Sequence, residues 1–340
     1  MSLIKEPLPY ISADLPALGG RIKESPEHFI VEEIPLYEAA GDGPHLYLTL
    51  KRQGLTTRQV VDQLAGRYDQ PAGAIGYAGL KDKEAVTIQT FSLPVSLSEE
   101  EARSKSLGAP WEVVGIQRHR NKLKVGHLLG NRFTIILSGT EKGLAEARAI
   151  GDCLKTRGLP NYFGGQRFGK DGDNAEEGLK LLKKGRPGRG WKDKFLLSAL
   201  QSLAFNHYLA LRINEGLFEK VLTGDVCKKY ATGGLFVSED GETETQRLQA
   251  GELSYTGPIW GSKVKAAEGP AAELEAGALA GLDLTPEIMA GAGVGDRRLG
   301  RLLLPDLQVE EGGDGLVFTF ALPKGAYATS VMREFIKERE

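Results

Sequence analysis

The chain has 340 residues, 41% of them hydrophobic, and its 43 Lys plus Arg against 45 Asp plus Glu leave a net charge of −2. That length allows two domains at roughly 100–200 residues each, and the charge balance excludes a protein that coats nucleic acid indiscriminately. No run approaches about 20 apolar residues, the opening MSLIKEPLPYISADLPALGG lacks the order of a secretory signal, and two cysteines and five histidines show no ligand spacing, so the expectation is a cytoplasmic protein without membrane span, structural metal or disulfide framework.

The first 150 residues read mainly as strands with a helix inserted. Residues 28–37 (HFIVEEIPLY), 45–52 (HLYLTLKR) and 132–139 (RFTIILSG) are rich in β-branched and aromatic residues, partly in period-two alternation. Residues 54–68 (GLTTRQVVDQLAGRY) predict a helix with Thr56 or Thr57 as N-cap and Val60, Val61 and Leu64 on one face. At 76–92, GYAGLKDKEAVTIQTFS crowds Lys81, Asp82, Lys83 and Glu84 onto a short turn between two strand-like stretches. Such a turn is either ordinary solvated polarity or the seat of a reactive carboxylate.

Residues 141–160 predict an amphipathic helix closed by Gly158 and Pro160, after which the chain turns helix-rich and then loop-rich. Within 195–213, Leu197, Leu200, Ala204, Tyr208 and Leu211 form one stripe of a core helix. Residues 269–296 are rich in Ala and Gly without being a repeat. The end returns to the opening style, with a strand at 315–323 (GLVFTFALP) and a terminal helix from 327. One sheet completed by the C-terminus is expected, built from 1–156 and 305–340, with 157–304 inserted as a second domain.

Positive charge is local. Residues 117–133 (QRHRNKLKVGHLLGNRF) hold Arg118, Arg120, Lys122, Lys124 and Arg132 with no acidic residue, and 183–194 (KKGRPGRGWKDK) add Lys183, Lys184, Arg186, Arg189, Lys192 and Lys194 around Trp191. Basic runs in a near-neutral chain fit a directed phosphate-binding face, against the plainer alternative of solvated faces balanced by acids nearby in space.

The stretch GYAGLKDKEAVTIQ resembles the signature of the TruD family of pseudouridine synthases, which isomerise a uridine in tRNA. Four further segments fit in the same order: 24–35 (ESPEHFIVEEIP), 118–133 (RHRNKLKVGHLLGNRF), 161–169 (NYFGGQRFG) and 322–334 (LPKGAYATSVMRE). The resemblance implies an α+β protein: a pseudouridine-synthase catalytic domain with a mixed, largely antiparallel sheet, plus an inserted α/β TRUD domain. It implies uridine 13 of a tRNA as substrate and no cofactor or metal; no protein partner is implied by the sequence, and a monomer is expected.

By the same resemblance Asp82 is the catalytic aspartate. Phe133 sits where the family puts an aromatic ring against the base, Asn131 can donate and accept as a uracil edge demands, and Phe29 and Tyr327 fall in pocket-lining motifs. A carboxylate buried beneath a base favours its protonated form, so a nearby cation is required. Lys81 and Lys83 are adjacent, but alternation turns immediate neighbours away, which leaves Lys23 as the preferred partner. Arg118, Arg120, Lys122, Lys124, Arg132 and Arg167 are expected on the RNA backbone, with Arg297, Arg298 and Arg301 candidates for the same groove. Taken without the motifs, Phe29, Phe133 and Tyr327 read as core and Asn131 as a turn residue. A non-catalytic RNA-binding or folding module is the competing function, while a glycosidase would need a second carboxylate that no motif supplies.

Overall fold

Alternating apolar residues of the first half fold into an eight-stranded sheet in the computed structural model, which describes residues 7–169, 171–185 and 190–337. Its strands are β1 (Phe29–Pro35), β2 (His45–Arg52), β3 (Gly76–Tyr77), β4 (Val86–Leu93), β5 (Trp111–His119) and β6 (Leu128–Leu137). Gln308–Gly312 and Gly315–Pro323 complete it from the far end of the chain, as expected of 315–323. The order is 308–312, 315–323, β6, β1, β4, β2, β5, with β3 also on β4. Among the described strand pairs of this sheet, β1 with β4 is parallel and the rest are antiparallel. The sheet is therefore mixed and largely antiparallel.

Helix α1 (Thr57–Tyr68) starts where a capping box fixes it: the Thr56 hydroxyl accepts from the Gln59 N–H and the Gln59 side chain accepts from the Thr56 N–H. Val60, Val61, Leu64 and Tyr68 then bury against Leu46, Leu48 and Leu50 of β2, Phe91 and Leu93 of β4, and Trp111 and Ile116 of β5. Each large apolar side chain so buried contributes about 1.5–3 kcal/mol. A second capped helix, α2 (Glu99–Lys105), uses Ser98 and Glu101 in the same way.

The chain divides into two compact units. The sheet belongs to the unit formed by Ala17–Gly151, Asp306–Gly325 and Ile336–Glu340; the other comprises Met1–Pro16, Asp152–Pro305 and Ala326–Phe335. The division at 151/152 falls inside α3 (Leu144–Arg157). Residues 7–16 and 326–335 have their contacts within the second unit. Glu334, 1% exposed, accepts from the Ile11 and Ser12 N–H groups and the Ser12 hydroxyl. Arg333 lies 3.8 Å over the Tyr10 ring, and the Ser330 hydroxyl donates to the Tyr162 carbonyl. A buried carboxylate demands such partners, and these all lie in the second unit.

That unit also holds α4 (Asn174–Lys183), α5 (Trp191–Asn214) and a four-stranded antiparallel sheet ordered Asp296–Leu299, Leu253–Ile259, Val226–Lys229, Leu235–Val237. Leu197, Leu200, Ala204 and Tyr208 are buried as their stripe predicts, and Leu211 is half-buried. Gln201, Ser202, Asn206 and Arg212 are buried as well, so α5 is enclosed on more than one side. Its last turn carries a fully buried ion pair in which Arg212 donates to both Asp225 oxygens at 2.9 and 2.6 Å. Removing one partner leaves an uncompensated interior charge. Asp225→Ala should therefore lower stability in urea unfolding by about 3–5 kcal/mol, and the double change Arg212→Met with Asp225→Leu should recover most of that loss.

Candidate active site

The charged turn between β3 and β4 is held from inside the sheet. Lys81 folds inward, its Nζ 2.6 Å from Glu33 Oε1 at the end of β1, with both side chains 6% exposed. The Gln89 amide donates to the same Glu33 oxygen at 3.0 Å and to the Gly79 carbonyl at 2.7 Å. Thr57, on the first turn of α1, donates its hydroxyl to Gln89 Oε1 (3.1 Å) and accepts from the Lys81 N–H (2.9 Å) and Arg52 Nη2 (3.1 Å). A further bond runs from the Gly54 N–H to the Lys83 carbonyl, 3.1 Å. Burial pushes the Arg52 guanidinium down to about 10, with the Glu33 charge opposing the shift. A Cβ on Gly79 would sit 3.4 Å from both Glu33 Oε1 and Lys81 Nζ, in contact with the pair.

Asp82 stands outside this network. It is exposed, and its Oδ1 accepts from the Glu84 N–H at 3.3 Å, a local Asx-type bond. No Lys or Arg among the described residues lies within 4.0 Å of its carboxylate as an ion pair. Lys81 turns away from it toward Glu33. Lys83 is exposed, and Lys23, half-buried with φ +63°, holds its amine 4.5 Å over the Phe29 ring. A carboxylate open to water is solvated by it; a base laid over it displaces that water, and a cation is required from then on.

Register brings other candidates onto the face of the sheet that carries Glu33 and Gln89. Across β1 and β6, Glu33 faces Asn131, Val31 faces Phe133 and Phe29 faces Ile135. Phe29 and Phe133 meet edge to face at 6.1 Å, and Phe133 stacks on Phe320 at 5.6 Å. Both rings are buried, so they form a wall rather than a free platform. On that face Asn131 Oδ1, Thr87 Oγ1 and Arg52 Nη1 are buried without a hydrogen-bond partner. Such groups cost stability unless a ligand or water satisfies them. Tyr327 belongs to the other unit, where it packs edge-on to Phe163 at 6.0 Å.

The basic candidates separate by partner. Arg118 donates to the Val95 carbonyl at 2.6 Å and to the Leu97 carbonyl, Lys122 to the Gly73 carbonyl at 2.5 Å, and Arg120 to both Asp42 oxygens at 2.8 and 3.0 Å. Arg132 lies 3.6 Å from Asp306, and Arg167 donates to the hydroxyls of Ser198 and Ser202. Lys124 is exposed. It lines, with Arg58, Gly76, Tyr77, Lys122 and Val125, a cleft of about 450 Å³ beside the turn. Arg297 and Arg301, expected in a groove, are buried and bind Glu275 and the Lys265 carbonyl, and the carbonyls of Thr156, Arg157 and Leu248. Arg298 donates to Asn161 and lies 4.0 Å over Phe163. In the second basic run, Arg186 and Arg189 lie outside the described residues, and Trp191 is 80% exposed, stacked on Phe195.

Sequence reasoning missed Glu33, Thr57, Gln89 and Arg52. The signal was parity: Glu33 shares the inward phase of Phe29 and Val31, and Gln89 that of Phe91 and Leu93.

The family model described as "tRNA pseudouridine synthase D (TruD)" matches residues 8–185 and 193–335. A tRNA pseudouridine synthase D of Thermus thermophilus is 44% identical over 99% of this chain and 95% of its own length. One from Anaeromyxobacter dehalogenans is 44% identical over 97% and 96%. A crystal structure from Methanosarcina mazei assigned to tRNA pseudouridine synthase D superimposes with a TM-score of 0.78 at 24% identity, over 97% of this chain and 96% of that one, which attests the fold.

Thr57 serves as donor once and acceptor twice, so an isosteric change isolates its role. Thr57→Val should destabilise the chain by about 1–3 kcal/mol and speed amide hydrogen exchange at Lys81, read by mass spectrometry, more than at residues of α2.

Proposed function

The chain belongs to the TruD family of tRNA pseudouridine synthases, and on that footing we propose that Asp82 carries out the isomerisation of uridine to pseudouridine in tRNA at position 13. The observation that carries this reading is the outward carboxylate of Asp82 on a turn anchored to Glu33, which faces the buried, unpartnered Asn131 carbonyl across the β1–β6 pair. In this proposal the unit that holds the sheet is the catalytic domain, residues 157–304 are the insertion, and one chain acts alone in the cytoplasm.

The reaction breaks the bond from N1 of uracil to the ribose, turns the base while it stays bound, and joins C5 to the same ribose carbon. C5 loses a proton and N1 gains one, so nothing is oxidised and no group donor is consumed. Such chemistry asks for a carboxylate that can act as nucleophile and as proton acceptor, and Asp82 is free to do both. It also asks that the base leave its stack and be held by its polar edge. Asn131 Oδ1 can accept from uracil N3–H while its amide donates to a carbonyl oxygen, with Thr87 and Arg52 offering further partners on the same face. Phe29 and Phe133 back the base, and Lys23, already beside Phe29, supplies the cation once Asp82 is covered.

Phosphate attachment falls to the exposed lysines beside the turn. Lys124 has the open position on the cleft, while Arg118 and Lys122 already donate to the main-chain carbonyls of Val95, Leu97 and Gly73.

Asp82→Asn should bind unmodified tRNA within about twofold of the original affinity yet lose pseudouridine formation by at least about 10²–10⁴-fold, mapped by a chemical adduct that stops reverse transcription. Undiminished turnover by that variant would remove Asp82 from the mechanism. Lys124→Ala should weaken tRNA binding and flatten the slope of log affinity against log salt by about one, whereas an unchanged slope would remove Lys124 from the phosphate contacts.

A further inference from the structure

Extruding a uridine leaves a hole in the RNA stack, and the turn that carries Asp82 also carries an apolar side chain placed to fill it. Leu80 is 75% exposed, among the most exposed large apolar residues described. Its exposure is not that of a loose loop. The Ala78 carbonyl accepts from the Gly126 N–H at 2.8 Å, the Gly79 carbonyl from Gln89, and the Lys81 N–H donates to Thr57. Backbone on both sides of Leu80 is thus fixed while its side chain stands in water.

Lys81 between them turns inward to Glu33, so Leu80 and Asp82 both face outward. Two residues of extended chain span at most about 7 Å, near enough for one side chain to enter a stack while the other meets the base that has left it. The polar setting narrows the partner. Exposed Lys83 and Lys124 can meet the phosphates on either side of a gap, and with the exposed carboxylates of Asp82 and Glu84 they make a charged rim that disfavours an apolar protein face or lipid tails.

We propose that Leu80 is the wedge that occupies the space vacated by the target uridine, and so holds the base out over Asp82. Apolar side chains inserted between bases offset the lost stacking in other nucleic-acid complexes, and a base already unstacked needs no such help. The inference rests on the reading that this chain modifies an extruded uridine. It makes Leu80 a positioning residue, acting on the extrusion step and not on bond making.

Single-turnover rates on two RNAs test it: folded tRNA, and an RNA in which the same uridine is unpaired and unstacked. Leu80→Ala should slow the tRNA reaction about tenfold or more while the loss on the unstacked RNA stays below about threefold, and Leu80→Met should restore most of the tRNA rate. With 2-aminopurine beside the target, Leu80→Ala should show a smaller fluorescence rise on binding than the original chain. An unchanged tRNA rate, or an equal loss on both RNAs, would overturn the wedge. Absence of pseudouridine from the unmodified chain on every RNA would instead bring down the enzymatic reading itself, so the two failures are distinguishable.

Discussion

An ammonium and a carboxylate that fold inward together decide where the adjacent carboxylate can go. Lys81 and Glu33 are almost out of water and 2.6 Å apart. Desolvating such ions costs several kcal/mol each, and their attraction recovers it only when the remaining hydrogen-bonding positions are filled. Gln89 fills one and is itself held by Thr57, so the pair is embedded in strands β1 and β4 and the start of α1 at once. With Lys81 committed inward, its two neighbours are both exposed. One is Leu80 and the other is Asp82. The inner pair thus presents the outer aspartate, and it does so with elements of the core instead of a free loop.

The same region leaves several polar demands unmet. Asn131, Thr87 and Arg52 each keep a buried atom without a partner, and Lys23 adopts a left-handed backbone conformation that few non-glycine residues tolerate. Each costs of order 1–3 kcal/mol, which a protein selected for stability alone would have removed. Asn131, Thr87 and Arg52 share one face of the sheet, whereas other buried atoms without a partner, such as Trp111 Nε1, Tyr162 Oη, Tyr255 Oη and Arg297 Nη2, lie elsewhere, so it is their position beside the turn and not their number that sets the three apart.

Much of this was legible in the residues. The helix at 57–68 follows from Thr56 and Gln59 spaced as a capping box, and the sheet from period-two runs such as 45–52 and 315–323. Asp82 was conspicuous by its motif. Its support was less so, because Glu33 and Gln89 look like surface residues unless their strand phase is counted against Phe29, Val31, Phe91 and Leu93. The strands at 226–299 fall in a stretch that composition reads as helix-rich and then loop-rich, although the resemblance implies an α/β insertion there. Leu253–Ile259 is buried at nearly every position, so it shows no alternation, and Gly257 and Pro258 mimic a turn. Gly257 is needed there because a Cβ would sit 2.7 Å from the rings of Phe205 and Tyr208.

The basic runs carry partners that a sequence does not show, for a physical reason. Charge counting pairs cations with acids, but a guanidinium has five donors and is satisfied equally well by main-chain carbonyls, which leave no trace in a sequence. Arg118 ties the carbonyls of 95 and 97, and Arg301 those of 156, 157 and 248. Arginine in these places acts as a cross-link between segments, so its removal would loosen the fold before it touched any ligand. Lysines such as Lys83 and Lys124 remain exposed. An ammonium is a compact point charge on a flexible stem, indifferent to the direction from which a phosphate approaches. A chain with net charge near zero can hold a polyanion through a few such contacts that tolerate its shape, and on the function proposed above the choice of uridine would fall to the face around Asp82.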